Sequence, residues 1–168
     1  MTAATTDWRS LPRHRAKLQP EAVLQLVRQV IAQGGSLWIG AQGPSMSPTI
    51  GDGDQVLLAP IDELRVGHVV LADVSGRAVL HRVIAIDSAR VWTAGDGVLC
   101  NDPPRARSSI VARAIARERA GSVTALAWEM ELGALPLARG LWWEMRRGVA
   151  RRVRAARADQ RRPVEARE

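Results

Sequence analysis

The sequence predicts a mainly β protein: a sheet coiled toward a barrel, with one short N-terminal helix before it and a helical, basic tail after it. Three observations predict this. Short runs rich in Val, Leu and Ile recur between residues 36 and 115, separated by Gly, Pro, Asp and Ser, which is the pattern of strands punctuated by turns. One stretch ahead of them, opening at Pro20, carries apolar residues at helical spacing. The positive charge is also uneven: residues 1–138 hold 14 Lys/Arg against 13 Asp/Glu, whereas residues 139–168 hold 10 arginines against 4 acids. The basic character therefore belongs to the tail and not to the core. A chain of 168 residues, 46% hydrophobic, can bury a sizeable core as one domain. The expected division is a flexible segment over 1–19, a compact domain over 20–120 and an Arg-rich extension over 121–168.

Residues 1–19 contain no apolar run, so no signal peptide or membrane anchor is expected there. Val23, Leu24, Val27, Val30 and Ile31 line one face of the expected helix, which Pro20 opens and Gly34-Gly35 closes. Strands are expected over residues 36–41, 55–59, 68–74, 77–86, 90–93 and 110–115, with Ser75-Gly76 as a tight hairpin turn. The late apolar stretch, residues 123–137, is 15 residues long and contains Glu129 and Glu131. A spanning helix needs about 20 apolar residues, so a cytoplasmic protein is expected. Leu141, Trp142, Trp143 and Met145 then precede arginines at 146, 147, 151, 152, 154 and 157. Such a segment could pack on the domain, bind an acidic partner or nucleic acid, or rest peripherally on an anionic membrane, where each basic residue adds about 1 kcal/mol. The single cysteine, Cys100, excludes an internal disulfide and a cysteine metal cluster; neither metal nor cofactor is expected.

Residues 43–54 read Gly-Pro-Ser-Met-Ser-Pro-Thr-Ile-Gly-Asp-Gly-Asp. Three glycines and two prolines forbid a continuing helix or central strand, so the backbone turns with Ser45 held beside Pro44 and shortly before Pro48. A serine becomes a nucleophile when it is fixed, exposed to substrate and near a base. His81 is the candidate base. Alternation along its strand puts Val79, His81 and Val83 on one face, and valines on both sides desolvate the imidazole and favour its neutral form. The remaining histidines, His14 and His68, are assigned no role.

The order of these residues resembles the type I signal peptidase family. Gly43-Pro-Ser45-Met46-Ser-Pro48-Thr49 with Gly53-Asp54-Gln-Val56-Leu57 resembles its serine box. Gly67-His-Val69-Val70 with Leu80-His81-Arg82-Val83 is similar to its base-bearing region. Thr93-Ala-Gly95-Asp96 with Asn101-Asp102-Pro103 is similar to its acidic box. The resemblance covers about residues 37–116 and three boxes in order; the wider superfamily includes self-cleaving LexA-like repressors. Bacterial members pair the serine with a lysine, but the one lysine here, Lys17, lies away from every box, and Arg82 stays protonated. The resemblance therefore points to the serine–histidine branch of archaeal and endoplasmic-reticulum signal peptidases. It implies Ser45 as nucleophile, His81 as base, Asp102 as the partner orienting the histidine, and Asp96 as a supporting residue.

Two departures matter. Where many members carry a second serine whose hydroxyl binds the oxyanion, this chain has Gly43, so the oxyanion would rest on backbone N–H groups such as that of Ser45. Family members that process exported proteins also usually carry a membrane-spanning helix. Two functions are open: a serine endopeptidase that removes a leader or signal segment from a precursor peptide or protein, and a regulatory or binding module with the same fold but no turnover, related to LexA-like repressors. About 44 residues precede the serine, leaving little room for a DNA-binding domain, so the peptidase is favoured and nucleic acid is not an expected partner.

Overall fold

The computed structural model describes Leu11, Arg13, His14 and residues 20–98 and 100–126. The helix α1, Pro20–Ala32, starts at its proline and ends where Gly34 takes a φ of 73°. The N–H of Gly34 bonds to Ile31 O and that of Gly35 to Val30 O, the paired closure that stops a helix at a left-handed glycine. Leu24 and Val27 are buried, and Val23, Leu26, Val30 and Ile31 pack against the same core. Arg28 faces out and pairs with Asp73 at 2.8 Å.

The strands are β1 (Arg13–His14), β2 (Leu37–Gly40), β3 (Gln55–Ala59), β4 (Val69–Val74), β5 (Arg77–Ile86), β6 (Arg90–Ala94), β7 (Arg105–Ala106), β8 (Ile110–Arg119) and β9 (Ser122–Ala125). They form one sheet in the order β1-β2-β3-β8-β4-β5-β6-β7, with β9 also paired to β8. Among the described residues only the β1–β2 pair is parallel. Register shifts interrupt β3–β8 at Leu57/Leu58, β4–β8 at Leu71/Ala72 and β5–β6 at Val83/Ala85. Each adds a residue to one strand and bends it, and together they curl the sheet into a half-barrel. Its concave side holds the main core with α1, including Leu37, Ile39, Val56, Leu58, Leu71 and Ala112. Trp38, Leu57 and Ala116 form a separate cluster, as alternation along β2 and β3 requires.

The β4–β5 hairpin turns at Ser75-Gly76, with φ of 53° and 84°. Two left-handed residues in succession match the twist of the flanking strands, and Asp73 Oδ1 accepts the Gly76 N–H at 2.8 Å. The mainly β expectation with a short helix is met. Three strands were not expected (β1, β7 and β9), and β8 runs to Arg119 instead of stopping at residue 115. The sheet thus includes His14 and reaches Ala125. Among the described residues no helix is long and apolar enough to cross a membrane. The expected Arg-rich helix beyond residue 138 and Lys17 lie outside the described residues.

Candidate active site

The loop between β2 and β3 carries Ser45. Its neck is closed by Ala41 N–H to Asp54 O at 2.8 Å and Gly53 N–H to Ala41 O at 3.0 Å. Inside it, Met46 and Ile50 are 3% and 2% exposed and belong to the main core, one turn apart with the Ile50 N–H on Met46 O. Burying these two side chains fixes the backbone on either side, and Ser45 is left half-buried at the surface of the loop. Gly43 needs its φ of 86° for the turn into Pro44, and its N–H donates to Asp52 Oδ1 at 2.8 Å. Gly43 therefore offers neither a side chain nor a free N–H to an oxyanion. Among the described residues nothing accepts from the Ser45 N–H.

The acidic box leaves β6 at Gly95 and returns beside it: Ala94 bridges Asn101, and the Asp102 N–H bonds to Thr93 O at 2.9 Å. This return places the Asp102 carboxylate against β5. His81 Nδ1 lies 2.6 Å from Asp102 Oδ2. The same oxygen accepts the Thr93 hydroxyl and has the Arg105 guanidinium 3.3 Å away. Burial raises the Asp102 pKa, but the hydrogen bonds from His81 and Thr93 and the charge of Arg105 outweigh it and hold the carboxyl below the usual range. An ionised Asp102 accepts from Nδ1–H, which leaves Nε2 as the lone-pair nitrogen when the ring is neutral. Among the described residues no hydrogen bond is made to His81 Nε2 or to Ser45 Oγ.

Asp96, in the same box, does something else. Arg82 grips it through Nε at 2.8 Å and Nη2 at 2.6 Å, and Nη1 donates to Gly67 O at 2.8 Å. Arg82 is 3% exposed, so this is a buried clamp joining β5 to the acidic box. His81 and Arg82, adjacent on β5, point to opposite faces. Each takes one of the two aspartates.

The acidic box also docks on the serine loop. Gly97 N–H bonds to Ser45 O at 2.9 Å. A Cβ on Gly95 would overlap the Ser45 carbonyl, and one on Gly97 would lie 2.8 Å from both Pro44 O and Ser47 O. Glycine is needed at both because backbone meets backbone there.

Ser45 lies on the wall of an open cleft of about 240 Å³. Val23 of α1, Ile39, Met46 and Ile50 line it beside Ala78, Val79 and Leu80, the residues of β5 that lead directly into His81. Among the described residues no charged side chain lines it. Among the described residues no group of three or more His, Cys, Asp or Glu side chains could hold a metal ion.

Residues 13–93 match the Peptidase S24-like family. The match supports a place in the signal peptidase/LexA-like superfamily, whose members include peptidases and non-catalytic regulators. Ser45 and His81 lie within the matched residues, and Asp102 lies beyond them. No curated protein matches the chain.

Sequence reasoning missed four participants: Thr93 and Arg105 on Asp102, and Arg117 and Arg119 on the serine loop. Thr93 was visible as a box residue, but its role depends on the return of the chain at Asn101. The arginines of β8 left no signal beyond an alternation of Arg with Ala, Ile and Glu over residues 113–119.

Proposed function

We propose that this protein is a serine endopeptidase in which Ser45 Oγ attacks the scissile carbonyl and His81 Nε2 takes its proton. His81 then returns that proton to the leaving amine, and water hydrolyses the acyl-enzyme by the reverse route. Asp102 holds the imidazole at Nδ1 and stabilises its protonated form. The observation that carries this reading is the 2.6 Å contact of His81 Nδ1 with Asp102, together with a cleft that Ser45 shares with Ala78, Val79 and Leu80, the residues preceding His81. In apo structures the serine–histidine hydrogen bond is often long and tightens only with substrate bound. The Ser45 N–H is the oxyanion donor in this scheme. The apolar lining by Val23, Ile39, Met46, Ile50, Leu71 and Leu80 favours an apolar segment, such as the leader or signal segment of a precursor, as in type I signal peptidases of the serine–histidine branch.

The test is to incubate the full chain with a complex mixture of peptides and intact precursor proteins and to identify new termini by mass spectrometry. Ser45→Ala and His81→Ala should each lower kcat on a cleaved peptide by roughly 10^4- to 10^6-fold, and the double variant little further, because the residues act as a unit. Near-normal turnover in either single variant excludes the mechanism. One observation favours the second reading, a regulatory module without turnover: Gly43 brings no oxyanion donor, since its N–H is committed to Asp52. Absence of any Ser45-dependent product would select that reading.

A further inference from the structure

Resting on Ser45 as the nucleophile, we propose that Arg117 and Arg119 of β8 are positioning residues that set the serine loop in register with the histidine and the aspartate. The sheet order divides the site. Ser45 comes from the β2–β3 loop, whereas His81 and Asp102 belong to β5 and the β6–β7 connection, and β8 is the strand hydrogen-bonded to both β3 and β4. Side chains of β8 therefore have a fixed relation to both parts.

Arg117 and Arg119 are two residues apart and share a face, and both reach the serine loop. Arg117 Nη1 donates to Pro48 O at 3.1 Å and to Thr49 O. Arg119 Nη2 donates to Pro48 O at 3.2 Å, and its Nε and Nη2 grip the two oxygens of Asp54 at 2.9 and 2.7 Å. Asp54 is 4% exposed, and it also accepts the Gly51 N–H at 2.7 Å. The carboxylate thus joins the last turn of the loop to the guanidinium, in the forked geometry that arginine supplies and lysine does not.

Gly51 supplies an independent sign that the loop is shaped around this arginine. A Cβ there would lie 3.0 Å from Arg119 Nη2, so glycine leaves space for the guanidinium. Together the two arginines occupy the carbonyls of the third and fourth residues after Ser45, and Gly97 occupies that of Ser45 itself. A loop so held cannot rotate its serine without breaking charge-assisted hydrogen bonds.

Hydrogen exchange and kinetics on full-length wild type, Arg117→Gln, Arg119→Gln and Arg119→Lys test the assignment. Amides of residues 43–54 should exchange about tenfold faster or more in the Gln variants, with residues 69–86 unchanged. On a peptide that the wild type cleaves, kcat should fall roughly 100-fold, the scale of a misplacement of about 1 Å, with KM little altered. Arg119→Lys should recover part of both, since it keeps the charge but not the fork. Unchanged exchange in the loop overturns the proposal. So does a rise shared by every strand, or a loosened loop with wild-type kcat. If the wild type cleaves nothing, the peptidase reading fails on its own, and loop exchange still decides whether the arginines hold the loop.

Discussion

Adjacent residues can carry opposite duties, and His81 and Arg82 show how to separate them. Asp102 serves the histidine, so Asp102→Asn should leave the fold intact and lower kcat by about 10^4-fold, the cost of losing control of the imidazole tautomer. Asp96 serves the buried Arg82, so Asp96→Asn should cost about 3 kcal/mol of stability by removing the carboxylate charge from beside a buried cation. Kinetics and calorimetry on the two variants check both; the reverse pattern would exchange the roles of the aspartates. His68 gives a separate signature. It is buried, its Nδ1 accepts the Arg65 N–H at 3.3 Å, and burial, then the charges of Arg113 and Arg65, push its pKa below the ordinary value. The unfolded chain therefore binds this proton more readily than the folded one. Stability from His68 is complete above about pH 6.5 and is lost as pH falls below that through the folded pKa. Asp54 is held low chiefly by its hydrogen bond with Arg119, and Asp102 is held low against its burial. Their contributions are complete above about pH 3.9 and fall away only below it. Denaturant melts across pH should show two separate declines, and His68→Gln should remove the upper one alone.

At the scale of elements, the serine loop and the acidic box are fitted backbone to backbone, and the glycines between them are the sensitive points. Gly97→Ala should lower both stability and kcat, because its Cβ meets two carbonyl oxygens that belong to the loop. Gly53→Ala meets no atom within 4 Å and suffers only from its positive φ of 82°, so its kcat should stay close to wild type. Melting curves and kcat on the two variants check the contrast. How legible each element was follows from the same physics. β3 and β5 were readable in full because runs rich in Val, Leu and Ile are bounded by turn residues. β8 was cut short because residues 113–119 alternate Arg with Ala, Ile and Glu, a composition with weak strand preference; pairing with β3 overrides it. β1 and β7 are two residues each, too short to show any period. Ser45 and His81 are candidates from residue type and order and Asp102 from the resemblance to the acidic box, and the structure brings His81 and Asp102 together. Thr93, Arg105, Arg117 and Arg119 were not, because their contacts arise from register shifts and from a loop returning on its own strand.

Considered as a whole molecule, the described chain builds its site from two runs of sheet, β1-β2-β3 and β4-β5-β6-β7, that β8 joins from between them. Contacts so distant in sequence form slowly, and the strand that makes them is translated after both runs. A nascent chain therefore carries its serine and histidine on the ribosome well before it has the strand that holds them in one frame. On the peptidase reading, the order of synthesis would act as a safety catch: the growing polypeptide should not cut itself or its neighbours until β8 has emerged and found both partners. Ribosome-bound chains carrying residues 1–109 on a linker long enough to clear the exit tunnel should show no Ser45-dependent cleavage of a peptide that the released protein cuts, whereas chains carrying residues 1–126 on the same linker should cut it.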